Sequence, residues 1–263
     1  MRKFDLLRLL NSGRDFLIPL LAAAVLILIW ELGVRLFAVP AYLLPAPLQI
    51  FHDTIHAGGS VADDTLATLR TTLFGFLLSI AVSLPLAILI ASSRFFADAI
   101  YPLLVLTQSV PKVAIAPILV VALGPTELPR VIVTFLVAFF PLVISMAAGL
   151  MAVPHELIEL SRSCRATKLQ ELLRVRLPYS IPFVFSGLKS AIALSVVGAV
   201  VGEFVAAEKG LGYLIMTATA FFRVPLAFGA MLILAFMGII LFQAIVVIER
   251  IFFPWAIEEE NHK

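Results

Sequence analysis

Ionisable side chains are scarce in this chain, so each one set inside an apolar run is a candidate for chemistry. Lys112 lies between Pro111 and Pro117, Gln108 stands one helical turn before it, and Glu203 sits among small and aliphatic residues. An ammonium group held away from water attracts anionic solutes, and charged groups at membrane depth ordinarily line an interior route. Gln108, Lys112 and Glu203 are therefore candidates for a solute pathway. The same residues also admit a structural role, in which Lys112 pairs with Glu203 or bonds carbonyls that the prolines leave free. His52 and His56 are i, i+4 neighbours, but no third ligand is near, so a solvated loop helix is expected rather than a metal site. A phosphate-binding loop is missing, since Gly187-Leu188-Lys189-Ser190 lacks its spacing. One cysteine, Cys164, excludes an internal disulfide. No convergent His, Ser or carboxylate groups point to a catalytic centre. The chain is thus expected to hold no catalytic residue, metal or cofactor of its own.

The elements that must carry these residues are helices in lipid. Of the 263 residues, 62% are hydrophobic and 14% charged, with a mean hydropathy of +1.09. A water-soluble surface needs more charge than that. Six apolar runs are long enough to cross the roughly 30 Å hydrocarbon layer as helices: residues 16–37, 69–91, 100–123, 131–153, 182–206 and 226–248. Helix is the default, because every backbone polar group in lipid must be satisfied internally. The predicted fold class is an all-α membrane protein with six transmembrane helices. Residues 16–253 would form a single transmembrane domain, between a cytoplasmic N-terminus at 1–15 and a cytoplasmic tail at 254–263. The basic start "MRKFDLLRLLNSGRDF" is followed by no small-residue cleavage site, so the first helix is expected to be retained. Pro85, Pro111, Pro117 and Pro141 predict kinks, most of all in the third run. Gly187, Ala191, Ala193, Ser195, Gly198, Ala199 and Gly202 give the fifth run a small face suited to close packing, within the chain or between two copies. Trp30, Glu31 and Arg35 close the first run as interfacial anchors.

The charges give the orientation. Arg2, Lys3, Arg8 and Arg14 precede the first run, Arg94 lies between the second and third, and the segment between the fourth and fifth carries Arg162, Arg165, Lys168, Arg174 and Arg176. With six spans these all fall on one side, which the positive-inside rule makes cytoplasmic. Both termini are then inside. A net charge of +2 is too small to suggest nucleic-acid binding.

Residues 154–181 form the longest basic loop. Leu157, Leu160 and Cys164 share one helical face. Thr167 and Gln170 have the spacing of a capping box that starts a second short helix. Leu169, Leu172 and Leu173 line its apolar face, and Pro178 is expected to stop it. Two short amphipathic helices would present a basic surface, either to anionic lipid head groups or to a partner protein.

The loop resembles the signature of ABC importer permeases: Glu-Ala-Ala, three residues, Gly, nine residues, Ile-x-Leu-Pro. Here Glu159-Leu160-Ser161 is followed at that spacing by Arg165 and by Val175-Arg176-Leu177-Pro178. The acid and the Leu-Pro match, and Ala166-Thr167 fits the family's continuation. Leu160, Ser161 and Arg165 depart from it. The stretches "VPAYLLPAPLQIF", "TLATLRTTLFGF", "VPKVAIAPILVVALG", "GAVVGEFVAAEKGLGYLI" and "ERIFFPW" extend the likeness, in order, to the branch serving nitrate, sulfonates and taurine.

This resemblance implies the type I ABC importer permease fold, and makes the loop a two-helix cytoplasmic coupling element. Glu156, Glu159, Leu160, Ser161, Arg165, Ala166, Thr167, Leu177 and Pro178 would meet an ATP-binding subunit. Arg165 stands where the family has glycine, so either the turn is right-handed or Arg165 reaches a partner carboxylate. The implied assembly holds two ATP-binding subunits carrying ATP and Mg, a second permease copy forming a homodimer, and a periplasmic or lipoprotein solute-binding protein, in a bacterial inner membrane. The segment after the fifth run is expected at the outer surface. An ion-driven secondary transporter would be expected to carry midplane carboxylates, of which the runs offer almost none, and would leave the basic loop without a role.

Overall fold

A computed structural model describes residues 3–255. Among them the structure is helical, without strands. The predicted tail beyond 255, and Met1 and Arg2, lie outside the described residues. The helices are α1 (Lys3–Leu36), α2 (Pro47–His56), α3 (Gly58–Ser92), α4 (Arg94–Thr107), α5 (Ala116–Leu123), α6 (Glu127–Met151), α7 (His155–Ser163), α8 (Lys168–Glu171), α9 (Leu177–Ala206), α10 (Leu211–Ala220) and α11 (Val224–Phe252). A 3₁₀ turn at Lys112–Ile115 precedes α5, and a π-helical turn at Leu172–Arg176 joins α8 to α9.

Among the described residues five helices are long and apolar enough to span a bilayer, with a sixth span if α4 and Lys112–Leu123 count as one. That pair is bent by 80°. The cause is local. Pro111 has no amide to donate, and α4 tightens at its end through i→i−3 bonds from Ser109 to Leu106 and from Val110 to Thr107. The kinks expected at Pro85 and Pro141 do not break their helices: α3 and α6 run unbroken past them.

The chain packs as two compact units. One comprises α1, α2 and Ile215–Met231; the other runs from Val61 to Leu214 and resumes at Leu232. In the first, Glu31 accepts the Leu48 amide at 3.0 Å and pairs with Arg35. Trp30 tilts against Phe228. The second holds the core, in which Phe76, Leu104, Phe139, Leu142, Met146, Leu150 and Ile192 are buried together.

The backbone of that unit is the antiparallel pair α6 and α9. Gly149 faces Phe183, Gly187 faces Ser145, Gly198 faces Thr134 and Gly202 faces Arg130. These contacts step in opposite directions from Gly149 to Arg130 of α6, a rise of about 28 Å, close to the hydrocarbon thickness. A Cβ on Gly198 would lie 2.8 Å from the Thr134 Cα, so only glycine admits this approach. The small face of the fifth run is thus used for packing within the chain.

Candidate functional site

The loop between α6 and α9 is built as a rigid hairpin of two short helices. α7 starts after Pro154, with Glu156 in its first turn, where a carboxylate complements the helix dipole. His155 Nδ1 lies 3.2 Å from Glu159 Oε1. The helix ends in a Schellman turn: the Arg165 amide donates to the Arg162 carbonyl at 2.8 Å and the Ala166 amide to the Ser161 carbonyl at 3.0 Å. This motif puts its penultimate residue in the left-handed region, and Arg165 has φ +54°. The right-handed turn entertained from sequence is not formed. Arg165 adopts the conformation that glycine takes more readily.

The expected capping box is present. The Gln170 amide donates to Thr167 Oγ1 at 3.3 Å, and the Thr167 amide to Gln170 Oε1 at 2.8 Å. The far end of the second helix departs from the sequence expectation. Pro178 does not stop it. Pro178 follows directly on the π turn, and α8, the π turn and α9 form one continuous helical rod from Lys168 to Ala206.

The π turn also creates a contact that sequence reasoning missed. In i→i+5 geometry, positions five apart come into line. Arg176 is thereby placed on Glu171, with Nε at 2.9 Å and Nη2 at 2.7 Å from the same oxygen. Arg176 also donates to the Leu150 carbonyl at the end of α6, at 3.2 Å, and Arg162 of α7 approaches the other Glu171 oxygen at 3.5 Å. Glu171 is buried and ties α7, α9 and α6 into one block. The only sequence signal was an acid among five bases.

Around this block the predicted residues stand outward. Glu156, Glu159, Leu160, Arg165, Thr167 and Pro178 are exposed, while Ser161, Ala166 and Leu177 are half-buried. Leu157, Leu160, Leu169 and Leu173 are exposed apolar side chains on an otherwise charged surface.

The intramembrane candidates separate. Gln108 is exposed at the α4 break. Lys112 Nζ bonds the Gln108 carbonyl at 3.3 Å and lies 4.8 Å from the centre of the Phe140 ring. It therefore caps a carbonyl at the break, and no pair with Glu203 forms. Glu203 is 1% exposed. It accepts from Thr68 Oγ1 at 3.0 Å and from the Gly212 amide at 2.8 Å. A different intramembrane pair exists: Lys189 and Glu249 join α9 to α11 at 2.7 Å. His52 and His56 face each other at 3.0 Å on α2, and among the described residues no group of three or more His, Cys, Asp or Glu side chains could hold a metal.

With this geometry in view, the comparisons with known proteins agree on one class. The chain is 38% identical over 238 residues to a formylaminopyrimidine transport permease of Halalkalibacterium halodurans, covering 90% of this chain and 95% of that one. It is 35% identical to a riboflavin transport system permease of Chloroflexus aurantiacus, over 88% and 87% of the two chains. It is 28% identical to a nitrate import permease of Synechocystis, over 90% and 89%. Among solved structures it resembles a chain of an inward-facing methionine ABC transporter, with a TM-score of 0.57 at 19% identity over 72% of this chain and 97% of that one. That likeness gives the type I ABC importer permease fold. The model of the binding-protein-dependent transport system inner membrane component matches residues 83–257. Members of this family are multi-pass permease subunits rather than enzymes. They work with separate ATP-binding subunits and a solute-binding protein. The chain belongs to this family and is a permease subunit of an ABC importer.

Proposed function

We propose that the hairpin of α7 and α8 is where this permease receives the stroke of its ATP-binding subunits. The observation that carries this reading is the contrast on the loop itself. Its inner side is locked by Glu171, Arg176 and the capping box, while its outer side leaves four leucines exposed among charges. An exposed apolar cluster rimmed by polar groups marks an interaction surface, and a locked hairpin transmits force where a loose loop would absorb it. Glu156, Glu159, Leu160, Ser161, Arg165, Ala166, Thr167, Leu177 and Pro178 are the residues proposed for this contact. ATP and Mg belong to the partner subunits.

On this reading the loop and both termini are cytoplasmic, in agreement with the distribution of Lys and Arg. The assembly contains two copies of this chain, two ATP-binding subunits and a solute-binding protein, in the inner membrane of a bacterium. The cargo is a small polar nutrient. The relatives at 38% and 35% identity carry a formylaminopyrimidine and riboflavin, and the one at 28% carries nitrate. This ranking favours a nitrogen heteroaromatic solute over nitrate, sulfonate or taurine. Gln108 and Lys112, at the break of a membrane-spanning pair, are the residues proposed to meet it; interrupted helices expose backbone and polar groups to a solute.

The test is co-purification from mild detergent. The unaltered chain should bring down an ATP-binding protein in stoichiometric amount, and deletion of Ser161–Arg165 should abolish this while the chain still reaches the membrane. A chain that purifies alone and moves solute in proteoliposomes without ATP would refute the reading.

A further inference from the structure

Three consecutive amides open α10, and each is bonded by a different side chain from elsewhere in the chain. The Gly210 amide donates to Asp64 Oδ1, the Leu211 amide to Thr68 Oγ1 and the Gly212 amide to Glu203 Oε2, each at 2.8 Å. The Thr68 hydroxyl in turn donates to the same Glu203 oxygen at 3.0 Å. Asp64 and Thr68 stand one turn apart on α3, and Glu203 stands in the last turn of α9. The fit is tight. Gly210 has φ +127°, a Cβ there would overlap the Glu203 carboxylate, and a Cβ on Gly212 would lie 2.9 Å from the Glu203 Cβ. Arg130 of α6 bounds the cluster and donates to the Lys209 carbonyl at 3.3 Å.

A helix start needs no such construction. Its free amides are ordinarily satisfied by one local Ser, Thr, Asp or Asn, whereas a carboxylate is costly to bury. Here two carboxylates and a hydroxyl from two other helices are spent on one helix start. Glu203 is fully buried, and among the described residues its Oε1 has no hydrogen-bond partner. The arrangement fixes the start of α10, at Gly210, Leu211 and Gly212, to α3 and α9 rather than merely completing it.

The position of the clasp gives it a role. Glu203 lies twenty-six residues beyond Leu177 on α9, about 39 Å along the axis and so at the opposite membrane face from the loop. α9 is continuous with the loop through the π turn. A displacement of the loop is therefore a displacement of Glu203, and the clasp passes it to α10.

We propose that Asp64, Thr68 and Glu203 are positioning residues of the transport cycle, which make α10 move with α9 at the membrane face opposite the coupling loop. The proposal rests on the coupling role given to the loop above.

The experiment uses the reconstituted importer with its ATP-binding subunits. Cys164→Ser removes the single native thiol, and Met216→Cys places a reporter on the exposed side of α10. With the clasp unaltered, the maleimide-labelling rate at position 216 should change at least about threefold between the nucleotide-free and vanadate-trapped states. Glu203→Ala should remove that change and cut solute moved per ATP about tenfold, while the ATP-binding subunits stay bound and hydrolyse ATP. Thr68→Val, which keeps the volume and deletes two of the bonds, should do the same. Glu203→Gln, which retains an acceptor for Thr68 and Gly212, should restore both readouts. Labelling that ignores nucleotide in the unaltered clasp, or variants that keep full transport per ATP, would overturn the proposal. Loss of the ATP-binding subunits from the unaltered complex would instead defeat the coupling reading beneath it.

Discussion

Replacing Arg165 with glycine should make the loop firmer. Arg165 sits at φ +54°, in the left-handed position of a Schellman turn whose two bonds, at 2.8 and 3.0 Å, are both formed. A Cβ in that region costs roughly 1–2 kcal/mol. Glycine removes this strain but adds unfolded-chain freedom worth about 0.5–1 kcal/mol. The net gain is about 0.5–1 kcal/mol, confined to the junction of α7 and α8. A change of 1 kcal/mol is about a fivefold change in an opening equilibrium. Hydrogen–deuterium exchange of the Arg165 and Ala166 amides should therefore slow about two- to fivefold in Arg165→Gly. Arg165→Ala separates charge from strain, because it keeps the Cβ and loses the guanidinium; its exchange should match the unaltered chain. Arg165→Ile should exchange faster, since a β-branched side chain fits the left-handed region worst. If the glycine variant exchanges at the original rate and the isoleucine variant does too, the turn carries no strain and the reasoning fails. Binding of the ATP-binding subunits gives a second axis. Equal loss in the glycine and alanine variants means that the guanidinium meets a partner carboxylate, as the sequence suggested.

Glu171→Ala should cost about 3 kcal/mol, because it leaves Arg176 without its partner in a largely buried site; thermal unfolding in detergent would show a lower Tm, and Glu171→Ala with Arg176→Met should recover part of it. The Lys189–Glu249 pair should behave alike: either single alanine variant lowers stability by about 3 kcal/mol, and a Lys189→Met, Glu249→Gln double variant recovers most of the loss. Single variants as stable as the unaltered chain would mean that water reaches the pair.

What the sequence revealed depended on how local the physics was. The capping box was legible because Thr167 and Gln170 are three residues apart and bond only each other's backbone. The break near Pro111 was legible because two prolines and a lysine interrupt one apolar run. Pro85 and Pro141 carried the same signal, yet α3 and α6 run unbroken past them, so a proline in an apolar run does not by itself divide it. The clasp on α10 was illegible, since its partners lie 135 and 146 residues apart in sequence. Glu203 drew attention as a charge in an apolar run, but its role depends on Asp64 and Thr68, which look like ordinary helix residues. The Glu171–Arg176 bond was missed for a different reason: a 3.6-residue period places these residues on different faces, and only the π turn aligns them. Pro178 misled in the same region, because the π turn just before it lets the helix continue where an α-helical register would have lost a backbone bond.

The continuous rod from Lys168 to Ala206 sets where permeases of this kind can be cut and rejoined. A chimaera meant to redirect this chain to foreign ATP-binding subunits would ordinarily exchange the loop at Pro178, where the signature ends. That junction lies inside a helix, so a splice there that adds or drops one residue would rotate the grafted surface by about 100° about the rod. The Schellman turn at Arg165 is the natural seam. A graft ending there exchanges α7 alone and keeps α8 in register with the membrane helix it belongs to.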